Sequence, residues 1–380
     1  GAGRAYAVDA LGHLLGGVTL AFAATVWLDG LWIAAVVTPL LVAAGWAILP
    51  SRRRISGVVT FAALLALCVM MALLGSPSRR WRWPQQQVLA ERASIFGLVT
   101  VTAQQGGGVY FLENGVPSGE SPPTPRMEVL VNYALLHVDK PRRVLLIGGG
   151  VSGGVVECLK HRPEQVDYVE FDPVFLELAR QWAHEHDRRA LLDRRVRCFA
   201  CDPRLLLAQA EGEYDAIILA LPTPTTALLN RFFTREGFAL YRKGLRAGGV
   251  VAFLLPYSQV YHTDLLAELD RCLYHSAGTE TLTAPPALLA GDELTVVMPL
   301  GASASSRLAP ALTRPDDVEQ RLARRSVAAP YLAALAWDWL DPQNREQALA
   351  MLADSGPPNT DLRPVGYLLG TAYWLAQVTP

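Results

Sequence analysis

Three glycines and two carboxylates in this sequence have a spacing that points to a specific chemistry. Gly148, Gly150 and Gly153 follow the apolar run VLLI in the pattern G-x-G-x-x-G. Such glycines let the backbone turn tightly and approach a ligand, and the helix that follows offers free N–H groups. Glu170 lies 22 residues after Gly148, and Asp202 ends a later apolar run. We therefore predict a nucleoside site, with Glu170 on the ribose hydroxyls and Asp202 on the adenine amino group.

The pattern alone leaves two nucleoside classes open, because NAD and S-adenosylmethionine sites share these features. Asp202 has a second interpretation, since it precedes Pro203 and could cap the helix that begins there. The two roles of Asp202 are compatible. For Glu170 a capping role is less favourable, because Asp172 directly precedes Pro173 and serves that purpose better.

Alternating strands and helices must bring these residues to one edge of a sheet. The apolar runs predict strands at 144–147, 166–171, 196–201, 214–219, 250–255, 279–283 and 294–298. Helical patterns lie at 127–137, 173–186, 205–210, 228–245 and 265–273. This alternation predicts an α/β fold: a Rossmann-like, class I methyltransferase-type parallel sheet covered on both faces. Before it, 94–115 contains two strand-like runs around a glycine turn, which predicts a small N-terminal β-hairpin domain.

The N-terminal part of the chain is far more apolar than the rest. Residues 10–28, 31–50 and 55–77 contain no Asp, Glu, Lys or Arg. Each stretch exceeds or approaches the roughly 20 residues that cross a bilayer, so we predict three transmembrane helices before the globular part. A secretory signal fits poorly, because there are three such stretches and no basic n-region with a cleavage site.

These patterns give a four-part organisation. We predict transmembrane helices at 1–78, a linker and small β-domain at 79–126, the nucleoside-binding domain at 127–300, and a helical extension at 301–380 that leads towards a further membrane segment. The expected protein is a piece of a longer multi-pass protein of a bacterial inner membrane, with the lipid bilayer as its partner. Arginines flank the third helix on both sides, so charge leaves the orientation tied. A cytoplasmic globular domain is expected because nucleosides are made there.

No metal site and no nucleic-acid partner are predicted. Cys198 and Cys201 form a CxxC, but no second pair or suitably spaced His accompanies them. The two cysteines lie in a predicted strand, where packing in the core is the simpler interpretation.

Several motifs together resemble the spermidine synthase (polyamine aminopropyltransferase) family. They are VLLIGGGVSGGVVECLKH, VDYVEFDPVFLELAR, RCFACDPR, YDAIILALPTPTT and NRFFT. More narrowly, the sequence resembles the bacterial branch in which this domain is fused to membrane helices. The resemblance implies a site for decarboxylated S-adenosylmethionine as substrate, an amine as acceptor, and a homodimer. It places Glu170 on the ribose, Asp202 on the adenine, Pro224 along the adenine pocket, and the glycine loop against the sulfonium and its tail.

The sequence departs from this family where the family has its acidic residues. The resemblance places three acids at positions that here read Val151, Ala220 and Thr223. Such carboxylates would bind a protonated amine and remove a proton from the attacking one. From the family's Tyr-His-Glu helix only Glu128 remains; it could line the pocket or cap its own helix. No catalytic residue is therefore assigned, and Glu128 is the one candidate.

Three functions remain open from the sequence. The first is an aminopropyltransferase-like enzyme with an altered acceptor or with acids drawn from elsewhere. The second is a catalytically inactive nucleoside-binding module that regulates a transporter-like membrane part. The third is a methyltransferase that uses intact S-adenosylmethionine.

Overall fold

The computed structural model describes two compact units of the chain, 1–117 and 118–380. The described residues are 10–17, 37, 62–67, 69–70, 73, 83 and most of 85–378. Within that last range, residues 105, 123, 258–262, 279–285, 292, 302–311, 313, 341 and 355 are not described. Each unit is considered by itself below.

A small β-sheet makes up the described core of the first unit. Its strands are β1 (Gln86–Ser94), β2 (Gly97–Gln104), β3 (Val109–Glu113) and β4 (Val116–Ser121), in the order β1-β2-β3-β4. The pairs β1-β2 and β2-β3 are antiparallel. The strands β2 and β3 form the hairpin expected within 94–115, and the sheet adds a strand on either side of it.

A seven-stranded mixed sheet organises the second unit. Its strands are β5 (Arg143–Ile147), β6 (Gln165–Glu170), β7 (Val196–Ala200), β8 (Tyr214–Leu219), β9 (Leu245–Leu255), β10 (Ala287–Leu289) and β11 (Leu294–Met298). The strand order is β10-β11-β9-β8-β5-β6-β7. The five strands from β9 to β7 are parallel, whereas β11 pairs antiparallel with β9 and β10 antiparallel with β11.

Helices connect and cover these strands. They are α1 (Pro125–Leu136), α2 (Val155–Lys160), α3 (Pro173–Trp182), α4 (Glu185–Leu191), α5 (Pro203–Gln209), α6 (Ala227–Asn230), α7 (Arg235–Gly244), α8 (Asp264–Ser276), α9 (Pro315–Arg325), α10 (Pro330–Trp339), α11 (Pro342–Ala353) and α12 (Val365–Val378). Proline at the first helical position and an Asx or Thr cap set the starts of α1, α3 and α5.

Both faces of the large sheet are buried, as expected for parallel strands between helical layers. On β5, Val144 and Leu146 belong to one hydrophobic cluster, while Leu145 and Ile147 belong to a second cluster on the opposite face. Because side chains alternate along a strand, these assignments show that helices cover the sheet on both sides. The predicted Rossmann-like fold is confirmed for this unit.

Two predicted helices are each divided in the structure. The helix expected at 173–186 is divided into α3 and α4, because Ala183 and His184 adopt extended conformations. The helix expected at 228–245 is divided into α6, a short 3-10 turn and α7, which Thr234 caps. The strand expected at 279–283 lies outside the described residues, and β10 follows it in the chain.

The predicted location in a bacterial membrane is wrong for the part of the chain that is described. No helix there combines the length and the apolar character that crossing a bilayer requires. The three predicted spans at 10–28, 31–50 and 55–77 lie mostly outside the described residues.

Candidate functional site

The glycine loop connects β5 to α2 and approaches its neighbours closely. Gly148 and Gly149 have φ values of 71° and 63°, in the left-handed region that favours glycine. A Cβ atom at Gly149 would lie 2.5 Å from the Cβ of Ala220, and one at Gly150 would overlap the ring of Tyr168. The loop therefore keeps its path only with glycine at these positions. The third predicted glycine, Gly153, also has a positive φ, of 95°.

The carboxylate of Glu170 lies at the carboxyl end of β6, the strand next to β5. It is buried, and its Oε2 accepts a hydrogen bond from the Tyr168 hydroxyl at 3.0 Å. Its Oε1 accepts from the Phe171 backbone N–H at 3.1 Å. These two bonds orient the Glu170 carboxylate, whose oxygens are acceptors of the kind that ribose hydroxyls require.

Tyr168 connects the loop to this carboxylate. Its ring occupies the space beside Gly150, while its hydroxyl holds Glu170. Its role was not predicted, because its position inside a strand suggests only a core residue.

Asp202 begins α5 and is engaged on both oxygens. Its Oδ1 accepts from the Arg204 backbone N–H at 2.9 Å, which is the predicted helix cap. Its Oδ2 pairs with the Arg231 guanidinium at 2.8 Å. An adenine amino group would therefore share the oxygens of Asp202 with these donors. The sequence gives no signal for Arg231, because only the fold brings it to Asp202.

Asp172 has a free acceptor close to Glu170. Its Oδ1 caps α3 by accepting from the Val174 backbone N–H at 2.8 Å. Its Oδ2 is buried and has no hydrogen-bond partner among the described residues. Buried acceptors are seldom left unpaired. We therefore add Asp172, which was expected only to cap a helix, to the candidate ligand contacts.

The positions that would carry the family's acids are apolar or uncharged. Val151 and Ala220 are buried, with 1% and 4% of their surface exposed. Thr223 is half-buried, and Pro224 beside it is buried. The loop that contains them follows β8, so it lies at the same edge of the sheet as the glycine loop.

The C-terminal helix α12 packs on this loop. A Cβ atom at Gly370 would overlap the carbonyl oxygen of Pro224. The hydroxyl of Thr371 donates to the Thr225 carbonyl at 3.3 Å. The helix therefore covers the backbone of 224–225 on one side.

The Glu128 carboxylate caps a helix, but not its own. Its Oε1 accepts from the backbone N–H groups of Tyr331 at 2.7 Å and Leu332 at 3.2 Å, in the first turn of α10. Burial raises the pKa of Glu128, and the two hydrogen bonds oppose that shift. Through these hydrogen bonds the Glu128 carboxylate links α1 to α10.

A second group of hydrogen bonds ties the segment before α1 to the glycine loop. Ser152 accepts from the Glu120 N–H at 3.1 Å and, through its carbonyl, from the Thr124 N–H at 3.2 Å. Ser121 donates to the buried carboxylate of Asp187 on α4, and α4 packs against the loop. Burial raises the pKa of Asp187 to about 6.

The structure thus gathers the predicted nucleoside contacts at one edge of the sheet. The glycine loop, Glu170 and Asp202 follow the neighbouring parallel strands β5, β6 and β7, and Pro224 follows β8 on the other side of β5. In open α/β sheets, ligands bind at this edge. Across the described residues, no group of three or more His, Cys, Asp or Glu side chains could hold a metal ion.

Comparison with known proteins assigns the domain. Residues 125–284 match the family model of the spermine/spermidine synthase domain. The chain is 30% identical over 170 residues to a polyamine aminopropyltransferase of Oceanobacillus iheyensis, a match that covers 44% of this chain and 33% of that protein. It is 35% identical over 124 residues to that of Korarchaeum cryptofilum, covering 33% and 38% of the two chains. The matched part thus spans little more than a third of these relatives.

Solved structures agree on the fold. A spermidine synthase in complex with the transition state analogue AdoDATO covers 70% of this chain and 88% of its own, with a TM-score of 0.54 and 17% identity. The spermidine synthase of Thermotoga maritima covers the same shares, with a TM-score of 0.52 and 17% identity. At this identity the likeness concerns the fold alone.

Proposed function

We propose that this chain, which carries a spermidine synthase domain of the aminopropyltransferase family at residues 125–284, binds decarboxylated S-adenosylmethionine as a substrate. Its aminopropyl group would be transferred to an amine that is bound without the three acids expected from the family. The observation that carries this proposal is the buried, preoriented carboxylate of Glu170 beside the glycine loop.

The nucleoside end of the site supports binding. The Glu170 carboxylate is oriented by Tyr168 and Phe171, and Asp172 offers a buried oxygen without a partner among the described residues. Because both groups are acceptors, they suit the hydroxyl donors of a ribose. The Asp202 carboxylate could also accept from an amino group, which would then share the carboxylate oxygens with Arg231.

The acceptor end supports a neutral amine. In the transfer, the amine nitrogen forms a bond to the carbon attached to sulfur, the C–S bond breaks, and the electron pair leaves with the thioether. The attacking amine then loses one proton to water. Val151 and Ala220 are buried and apolar, and burying an unpaired ammonium there would be costly. An amine that arrives uncharged needs neither a cation-binding acid nor a general base.

A second candidate function rests on the same residues. Losing a general base typically lowers a rate by about 10²–10⁴-fold, and α12 packs on the loop after β8. These observations favour a nucleoside-binding module without catalysis. A methyltransferase that uses intact S-adenosylmethionine is the third alternative, and ligand choice separates it from the others.

Two measurements test these functions. Calorimetry of the intact chain with decarboxylated S-adenosylmethionine, methylthioadenosine and S-adenosylmethionine should show saturable binding of the first two. Mass spectrometry should then detect aminopropylated product from a weakly basic amine that is uncharged at pH 7. Putrescine and spermidine should give little product at pH 7, with a rate that rises towards pH 9 as they lose a proton. Glu170→Gln is the control that should lose both signals.

The outcomes distinguish the alternatives. Nucleoside binding without product would support the inactive module, and preferential binding of S-adenosylmethionine with methyl transfer would support the methyltransferase. If none of the three nucleosides binds, the proposal is wrong. A homodimer, implied by the resemblance, is proposed as well, and sedimentation of the intact chain would show twice the monomer mass.

A further inference from the structure

Asp270 is a carboxyl group buried within the second unit. It lies on α8 with 0% of its surface exposed. Neither carboxyl oxygen has a hydrogen-bond partner among the described residues. Proteins rarely leave a carboxylate in this state, because an unpaired buried charge costs several kcal/mol. The group therefore folds with its proton retained.

The surroundings of Asp270 offer little to stabilise its charge. Burial raises the pKa of Asp270 well above its usual range, and the Arg271 guanidinium opposes that shift. Arg271 faces the Asp354 carboxylate at 3.9 Å. On α12, Tyr373 is the titratable group that interacts with Asp270.

Helix α11 and strand β9 also pack on α8. Among their described side chains, Glu346 on α11 is an acid, and the guanidinium of Arg246 on β9 pairs with Asp215. Neither of these groups is an unpaired cation that could compensate Asp270. The remaining titratable groups of α8 itself are Asp264, Glu268, Cys272, Tyr274 and His275.

The helix that packs over Asp270 also packs on the candidate site. Helix α12 lies along α8, and Tyr373 is three residues beyond Gly370, which abuts Pro224. Residues three apart share a helix face. The face of α12 that packs on the loop after β8 therefore also carries Tyr373, which interacts electrostatically with Asp270. Ionisation of Asp270 would place a charge in an interface that can neither hydrate nor pair it.

We propose that protonated Asp270 acts as a latch. The protonated form keeps α12 packed on α8, and loss of the proton releases α12 from the loop at 224–225. The latch makes access to the acceptor side of the site depend on pH. Its release in alkaline solution would uncover Thr223 and Thr225. This consequence for the site rests on the proposed function, whereas the movement of α12 does not.

Hydrogen exchange measured by mass spectrometry on the full-length chain tests the latch. Protection factors, corrected for the intrinsic pH dependence of exchange, are compared at pH 6, 7.5 and 9 for peptides within α12 and α10. In the wild type we expect the protection of α12 to fall about tenfold or more towards pH 9, since the buried charge costs several kcal/mol. The protection of α10 should change much less.

Three variants make the test specific. Asp270→Asn and Asp270→Leu cannot ionise, so each should keep α12 equally protected at all three pH values; the pair guards against one of them failing to fold. Glu268→Gln removes an exposed carboxylate of the same helix and should behave as the wild type does. The proposal is overturned if wild-type α12 is equally protected throughout, or if both Asp270 variants lose protection as the wild type does. No nucleoside is present, so failure here is separate from failure to bind one.

Discussion

The two ends of the candidate site differ in polarity. The nucleoside end contains carboxylates held by hydrogen bonds, with Glu170 fixed by Tyr168 and Phe171. The acceptor end contains Val151 and Ala220, both packed into the interior, with no carboxylate at either position. One end is therefore polar and preorganised, whereas the other end is apolar and packed.

The path of the glycine loop and the polarity of the site depend on separate residues. Gly149 and Gly150 are needed for the path of the loop, since any side chain would overlap Ala220 or Tyr168. Val151 in the same loop is buried and contributes packing. The path of the loop therefore does not fix the chemistry of the side chains beside it.

The largest expected effect comes from restoring an acid to the acceptor end. Val151→Asp places a carboxylate at a site with 1% exposure, and we expect it to lower the free energy of unfolding by about 3 kcal/mol or more. Thr223→Asp, at a half-buried position, is the matched control and should change stability by roughly 0.5 kcal/mol. Urea denaturation of both variants measures the difference.

Equal tolerance of the two substitutions would contradict the apolar character of the acceptor end. It would show that Val151 faces solvent or a charged group. The triple variant with Ala220→Asp would then become a reasonable route to activity on diamines.

The next largest effect concerns the nucleoside end. Glu170→Gln removes the charge while keeping the shape, and charged hydrogen bonds contribute about 1.5–3 kcal/mol. We therefore expect methylthioadenosine to bind about 10- to 100-fold more weakly. Calorimetry measures this, with the exposed Glu177→Gln on α3 as control. Unchanged affinity in Glu170→Gln would remove the main support for the nucleoside site.

A third prediction concerns the pH dependence of stability beside the glycine loop. Burial raises the pKa of Asp187 from 3.8 to about 6. Between these values the unfolded chain releases the proton and the folded chain keeps it, so this group makes stability fall as pH rises. Asp187→Asn should gain about 2 kcal/mol relative to the wild type between pH 4 and 7.

Denaturation at several pH values measures that gain. Glu185→Gln, an exposed carboxylate on the same helix, should show no comparable change in slope. If the difference between Asp187→Asn and the wild type stays constant with pH, Asp187 titrates normally and does not belong to a buried polar network.

The smallest expected effect comes from weakening the packing of α12 on the loop after β8. Thr371→Val removes the hydrogen bond to the Thr225 carbonyl and should lower the free energy of unfolding by about 1 kcal/mol or less. Nucleoside affinity should stay within about twofold. A large loss of nucleoside affinity would show that α12 supports both ends, and the contrast between them would weaken.

Local patterns predicted the sheet well. The strands β8 and β11 have the bounds expected from their apolar runs, since buried parallel and central strands are continuous apolar segments. The placement of the glycine loop and Glu170 at one edge of the sheet was also predictable, because one strand-loop-helix-strand unit fixes their spacing. Their role in binding a nucleoside stays a prediction.

Contacts between distant parts of the chain were not predictable in this way. Three features depend on how separate helices pack: the pairing of Arg231 with Asp202, the packing of Gly370 against Pro224, and the burial of Asp270. The periodicity of the sequence does not indicate which helices pack together. The capping of α10 by Glu128 was missed for the same reason, because the partner lies 203 residues away.

We propose that the chain binds the nucleoside and lacks a subsite for a diamine. Calorimetric titration of the intact chain with methylthioadenosine, followed by putrescine at pH 7, tests both parts in one experiment. We expect saturable binding of methylthioadenosine and no measurable heat of binding for putrescine. Failure of methylthioadenosine to bind would contradict the first part, and binding of putrescine would contradict the second.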